Sequence, residues 1–351
     1  MTKTSHNPCP TTRQTGLSLI ELMIALVIGL VLLLGISTLI VQQNITRSEM
    51  DKSSRQIENG RYAMQMLHDD IQLAGFYGSY SPGNLVEAVI PNDPCDTVPA
   101  NLGWSSATPL QVPVALFGYA GGTGDPTLGS CLQDYLDDTA ILVIRRTSTV
   151  SIPVAAATPN ATYLQVSNCS TDAAPFVLGT DNFILRQRGC AATTNPAICT
   201  STNPATGLAN EWTGLSCLRL YIVRIYYISR CTVCGSDTIP TLKVREIIGG
   251  NATTIALVEG IQNMQFDYGI DTSGDGAPDT YDNTPDTADW PDVTAVRVNL
   301  LARNNDPTTG YKDTKQYNLG GAGIVGPFND TYKRQAYSQL VRAVNPSGRR
   351  E

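Results

Sequence analysis

The chain has 351 residues, a formal net charge of −7 and 16% charged residues. That length suffices for one large or two small domains, and an acidic balance without a clustered basic patch excludes nucleic acid as an expected partner. Nine cysteines and two histidines leave little scope for imidazole chemistry and point to an oxidising compartment.

Residues 1–16 carry Lys3 and Arg13, no acid, and end in Gly16. From Leu17 to Val41 the only charged residue is Glu21, and about 20 apolar residues are enough to cross a bilayer as a helix. Polar residues Gln42, Gln43 and Asn44 follow the run instead of a small-residue cleavage site, so this is not an ordinary secretory signal. The basic leader keeps the N-terminus inside and the bulk of the chain outside. A carboxylate within a span costs a few kcal/mol, which makes Glu21 a candidate functional residue with an amine as its expected partner. The plainer alternative is a single-pass anchor whose Glu21 reaches the headgroups.

The order basic leader, Gly16, apolar Leu17, Glu21 and long apolar helix resembles the class III leader of type IV pilins and pseudopilins. The resemblance implies that a prepilin peptidase cuts between Gly16 and Leu17 and methylates the new amino terminus. It also implies that Glu21 pairs with the N-terminal amine of a neighbouring subunit. Leu17 stands where that family usually has Phe. Losing Lys3 and Arg13 with the leader would take the net charge from −7 to −9.

Past the span, Met50, Ile57, Met64 and Ile71 recur every seven residues, with Gly60, Leu67 and Ala74 three places after the last three. This predicts an apolar stripe, with Asp51, Lys52, Arg55, Glu58, Arg61, Asp69 and Asp70 on other faces. No proline interrupts Leu17 to Tyr80, so one helix is expected from Leu17 to about Ala74, roughly 85 Å long, with Gly75 as its stop. The segment Glu58-Asn59-Gly60-Arg61-Tyr62-Ala63, the acidic pair Asp69-Asp70 and the exit Ala74-Gly75-Phe76 resemble the same region of the PilW-type minor pilins.

Cys9 lies in the leader, leaving Cys95, Cys131, Cys169, Cys190, Cys199, Cys217, Cys231 and Cys234 for up to four disulfides. Short loops favour Cys190 with Cys199 and Cys231 with Cys234. A zinc half-site or redox dithiol at Cys231-Thr232-Val233-Cys234 is the rival reading. It lacks a second ligand pair, since His68 is the only histidine outside the leader.

Prolines and glycines mark 81–136 as loops and short strands. Strands are predicted at Ala140–Arg146, Tyr163–Ser167, Asn182–Gln187, Cys217–Ser229, Thr241–Ile248, Ile261–Tyr268 and Asp292–Ala302. In the last, Val296, Val298 and Leu300 alternate with Arg297 and Asn299. Strands without intervening helices imply an antiparallel sheet, so the expected class is α+β: a long N-terminal helix packed on an antiparallel β-sheet head, pilin-like in arrangement. The polar loop Ala191–Asn210, with Thr-Asn-Pro-Ala twice, is surface decoration that could face a partner.

Asp271, Ser273, Asp275, Asp279 and Asp282 occupy places 1, 3, 5, 9 and 12 of a calcium loop, with Gly276 at place 6 and the Ala277 carbonyl at place 7. A structural calcium ion is expected there, against the simpler reading of a solvated acidic turn. Other motifs fail in context. Gly321-Ala-Gly-Ile-Val-Gly326 precedes Pro327 rather than a helix. No Gly-x-Ser-x-Gly or His-Glu-x-x-His occurs. His68 and the pair Asp137-Asp138 read as surface groups, so no enzyme is expected. Phe328–Val341 resembles the closing segment of minor pilins and J-type pseudopilins.

The expected divisions are leader 1–16, transmembrane and filament-core helix 17–41, amphipathic helix 42–75, periplasmic or extracellular head 76–346 and a disordered tail 347–351. The resemblance implies a minor pilin that primes or supports type IV pilus assembly, with a place in a tip complex. It would sit in the inner membrane with a periplasmic head, then in the filament. Expected partners are other minor pilins, the major pilin, prepilin peptidase and a tip adhesin. Alternatives are a minor pseudopilin of type II secretion and a membrane-anchored periplasmic calcium-binding or enzymatic domain.

Overall fold

The computed structural model describes residue 16 and residues 18–82, 86–122, 128, 131–169, 172–186 and 215–350. Two compact units result, Met1–Asp51 and Lys52–Glu351, with the boundary inside one helix.

Helix α1 runs from Leu19 to Leu73, close to the expected Leu17–Ala74. Its apolar part has a mean hydropathy of 2.9 over the most apolar window and none of that window is buried. It is long and apolar enough to cross a membrane. Gly75 ends the helix at φ +70°, a backbone conformation that glycine adopts without steric cost.

Within the second unit the inward face of α1 comprises Gln56, Gly60, Ala63, Met64, Leu67, Asp70 and Ile71. The predicted stripe needs correction at its start, because Met50 is 66% exposed and Ile57 37% exposed. A strict seven-residue repeat drifts about 20° per heptad around a straight helix, so a stripe read back from Ile71 slides off the packed face. At that end Gln56 turns inward and donates to Ala302 O (2.9 Å) and Lys333 O (3.1 Å).

The head is built from β1 (Val86–Val89), β2 (Leu110–Pro113), β3 (Leu116–Tyr119), β4 (Ile141–Ile152), β5 (Tyr163–Val166), β6 (Phe176–Gly179) and β7 (Leu218–Ser229). It continues with β8 (Thr241–Ile248), β9 (Asn251–Glu259), β10 (Ile261–Ile270), β11 (Thr280–Asp282) and β12 (Val293–Arg303). Then come β13 (Tyr317–Asn318), β14 (Ile324–Val325), β15 (Arg334–Arg342) and a short helix α2 (Val344–Gly348). A seven-stranded sheet has the order β3-β4-β7-β5-β6, with β8 also on β7 and β9 on β8. A four-stranded sheet has the order β11-β10-β12-β15. All pairings in both are antiparallel, as α+β patterning predicted. The small β1–β2 pair is parallel.

Five expected strands coincide with β4, β5, β7, β8 and β10, and the alternating segment is β12. Asn182–Gln187 forms no named strand among its described residues; Arg186 makes only a bridge to Leu215.

One core joins α1 to both sheets. Ala63, Met64, Leu67 and Ile71 pack with Leu142, Ile144 and Tyr226 from the larger sheet and Met264, Phe266, Val296 and Val298 from the smaller. Burying a leucine or isoleucine side chain such as Leu67 or Ile71, both 0% exposed, contributes about 1.5–3 kcal/mol. The opposite face of the larger sheet carries a second core around Tyr77, Trp104, Val143, Phe176 and Tyr221.

The disordered tail expected at 347–351 is also corrected. Residues 344–348 form α2, Ser347 is fully buried and donates to Gly276 O (2.6 Å), and Arg349 stacks over Tyr77 with its carbon centre 5.2 Å from the ring. Polar partners hold this end in place of apolar periodicity; Glu351 lies outside the described residues.

Candidate assembly site

At the start of α1, Glu21 Oε2 accepts from Ser18 N (3.0 Å) and Ser18 Oγ accepts from Glu21 N (3.2 Å). This is a capping box: two of the amides left orphaned at a helix N-terminus find side-chain partners. The spacing Ser18-x-x-Glu21 is the sequence signature of this cap, so Glu21 has a local partner as well as the intersubunit one that the resemblance implies. Gly16 is exposed, and Leu17 on the other side of the expected cut lies outside the described residues.

The distal half of α1 carries the Asn-Gly-Arg element, and its seat on the head gives each residue a reason. Asn59 donates to Glu259 O at the end of β9 (3.0 Å). Gly60 lies flat against Tyr337 of β15, where any Cβ would overlap the tyrosine ring.

Nearly three turns further on, Asp70 is 3% exposed. Its carboxylate accepts from Arg146 Nε of β4 (2.8 Å), Arg224 Nη1 of β7 (3.1 Å) and Tyr226 OH of β7 (3.0 Å). Arg224 also holds Glu246 of β8 (2.6 Å). Burial alone would lower the Arg224 pKa, but Asp70, Tyr226 and Glu246 hold it above its ordinary value. The helix is thus pinned by charge to the centre of the larger sheet. Asp69, the other half of the acidic pair, faces outward and accepts from Gln65 (2.6 Å). His68 shares a hydrogen bond with Gln339 (3.1 Å).

The acidic loop 271–282 splits. Asp271 is fully buried; it accepts from Gly274 N (2.6 Å), Gly276 N (2.9 Å), Ser273 Oγ (3.3 Å) and Arg350 Nε (2.8 Å). Burial would raise its pKa, but the two amides and Arg350 outweigh that and bring it down to about 2. Asp279 turns to Thr272 N and Ser273 N (2.8 and 2.9 Å), and Asp275 to Ala277 N (2.9 Å). Asp282 leaves the loop on β11 and accepts from Thr284 N (2.9 Å). The C-terminal Arg350, which also pairs with Asp292, therefore holds the place-1 carboxylate. No sequence pattern pointed to that arginine.

Cys95 is bonded to Cys131, with Cα atoms 6.4 Å apart, and Cys231 to Cys234 at 5.0 Å. Cys169 and Cys217 are disulfide-bonded as well. Cys190, Cys199 and the loop Ala191–Asn210 lie outside the described residues. Two surface clefts, of about 190 and 530 Å³, meet at Trp290, and neither lining contains a histidine, cysteine or carboxylate. Asp137 is exposed and paired with Arg230 (2.9 Å). The glycine motif at 321–326 forms a short turn leading into β14, with no helix following.

Comparison with known families gives two matches. The model described as Type IV Pilus-assembly protein W matches residues 225–345, which run from the second half of β7 to the start of α2. The model described as Prokaryotic N-terminal methylation motif matches residues 11–37. No curated protein and no solved structure matches the chain. The matched stretches contain the leader junction, Glu21, strands β8 to β15 and the acidic loop, while β4 and Arg224, which hold Asp70, lie outside them; in those stretches the chain is similar to a prokaryotic N-terminal methylation motif and to the type IV pilus-assembly protein W family.

Proposed function

We propose that this chain is a minor pilin that primes or supports type IV pilus assembly and enters the filament through α1. The observation that carries the reading is the pairing of a methylation-motif leader and apolar helix with a head of the pilus-assembly type on one chain. After cleavage behind Gly16, the apolar half of α1 would exchange lipid for neighbouring helices. Glu21 would then trade its bond to Ser18 N for a neighbour's N-terminal amine, an arrangement in which a buried carboxylate gains a charged partner. The role is assembly rather than catalysis. Partner subunits, prepilin peptidase and a tip adhesin follow from the same reading, as does passage from inner membrane to filament.

Calcium at 271–282 is a proposal that rests on the order of oxygen donors, and it requires Arg350 to release Asp271. The test of function is complementation: in a host strain lacking the gene, wild type restores surface pili and Glu21→Ala does not, although both accumulate in the membrane. Equal piliation by the two would remove Glu21 from the account, and normal piliation without the gene would refute an assembly role.

A further inference from the structure

The pair Cys231–Cys234 is poorly explained as a stabilising crosslink. It closes a ring with a sequence separation of 3, against 36 for Cys95–Cys131, and a short ring constrains the unfolded chain least. The turn around it also has its own scaffold. Asp237 accepts from Thr232 N (2.8 Å), Val233 N (2.7 Å) and Ile239 N (3.0 Å). Val233 O accepts from Ser236 N (2.9 Å) and Asp237 N (3.2 Å), and Thr232 Oγ1 meets Thr241 Oγ1 at 2.7 Å. These bonds fix residues 231–241 with or without a bond between the sulfurs.

A third group converges from a distant part of the chain. Asp134 precedes the bridge between Tyr135 and Ser229, and its carbonyl accepts from Arg230 N (2.8 Å). Its backbone sits at φ +57°, uncommon for a residue with a side chain. A carboxylate oxygen of Asp134 and the sulfurs of Cys231 and Cys234 all lie within 4.8 Å of one another. Cys231 is buried, Asp134 is exposed, and the space beside Gly235 is open. Two soft sulfurs and one hard oxygen suit zinc, which takes Zn–S bonds near 2.3 Å and Zn–O bonds near 2.0–2.2 Å in tetrahedral sites. Calcium and magnesium, which prefer all-oxygen shells, do not fit.

We propose that Cys231 and Cys234 in their dithiol form, with Asp134, make a three-ligand zinc site that alternates with the disulfide. Entry to this state consumes a dithiol reductant: two electrons and two protons pass to the pair, the S–S bond breaks, and the reductant leaves as its own disulfide. Zinc then displaces the two thiol protons and forms two Zn–S bonds and one Zn–O bond, leaving the fourth position to water. The ion would tie the 231–237 turn to the 131–138 segment, a link that the disulfide alone does not make.

The test uses the full chain in detergent, reduced and then freed of reductant under anaerobic conditions. It is titrated with Co²⁺, a spectroscopic stand-in for zinc, beside Cys231→Ser/Cys234→Ser and Asp134→Asn. The double variant retains the other six cysteines outside the leader, so the difference spectrum isolates this pair. Asparagine tolerates positive φ as aspartate does, so the single variant keeps the backbone. The expected result is one additional Co²⁺ in the wild type, with two-thiolate charge-transfer and tetrahedral bands that Zn²⁺ abolishes, and at least tenfold weaker binding in Asp134→Asn. Equal binding by wild type and double variant overturns the site, and unchanged affinity in Asp134→Asn overturns its three-ligand form.

Discussion

Replacing Asp70 with alanine should release the helix from its seat. The carboxylate serves three donors from two strands, and its strongest partner, Arg146, has a side chain 9% exposed. Without Asp70, Arg224 keeps Glu246, but Arg146 becomes a buried cation whose remaining acceptor is Thr147 O at 3.4 Å. Removing one partner of a buried ion pair costs about 3–5 kcal/mol. For a domain of this size each kcal/mol lowers the melting midpoint by about 2–4 °C, so Asp70→Ala should lose on the order of 6–20 °C. Replacing both partners, as in Asp70→Leu/Arg146→Met, should recover much of the loss, because apolar side chains of similar volume need no counter-charge. Urea and thermal unfolding of the purified chain give both numbers. An Asp70→Ala protein within about 1 kcal/mol of wild type would refute the claim that this pair anchors α1.

Gly60→Ala should destabilise by about 1–2 kcal/mol, since overpacking against Tyr337 outweighs the gain in helix propensity, and Tyr337→Ala should remove the penalty. Unfolding midpoints of the single and double variants check this. Asp271, depressed to about 2 from its ordinary 3.8, contributes stability that is fully present above about pH 4 and is lost as pH falls towards 2. The gap in urea midpoint between wild type and Asp271→Asn should therefore be constant above pH 4 and close between pH 4 and 2. If calcium uses the 271–282 loop, Arg350→Gln should tighten calcium binding by freeing Asp271, as read by calorimetry; unchanged weak or absent binding would remove the ion from the account.

Much of the frame was legible in the sequence. The span, the unbroken α1, its stop at Gly75 and most central strands follow from apolar runs and period-two alternation, which depend on local neighbours. What sequence reading missed depends on distant ones. Strand β9 is an outer strand with most side chains in solvent, so Asn251–Glu259 shows no alternation. Met50 and Ile57 fit the heptad but not the packed face, because Gln56 finds two carbonyls that only the folded sheet provides. The tail looked disordered since Arg349 and Arg350 acquire value only when Gly75, Tyr77, Asp271 and Asp292 are assembled around them. For the same reason the acidic loop read as a cation site whose resident cation, Arg350, stands 79 residues away in sequence.

The central claim is that this chain is a processed pilin subunit whose apolar helix begins at the methylation junction. The most direct measurement is the intact mass and N-terminal sequence of the protein taken from membranes of a host with active prepilin peptidase. The account predicts a mature chain that starts at Leu17 and carries one added methyl group. A chain that retains Met1–Gly16 in those membranes would contradict it and leave a plain anchored domain in its place.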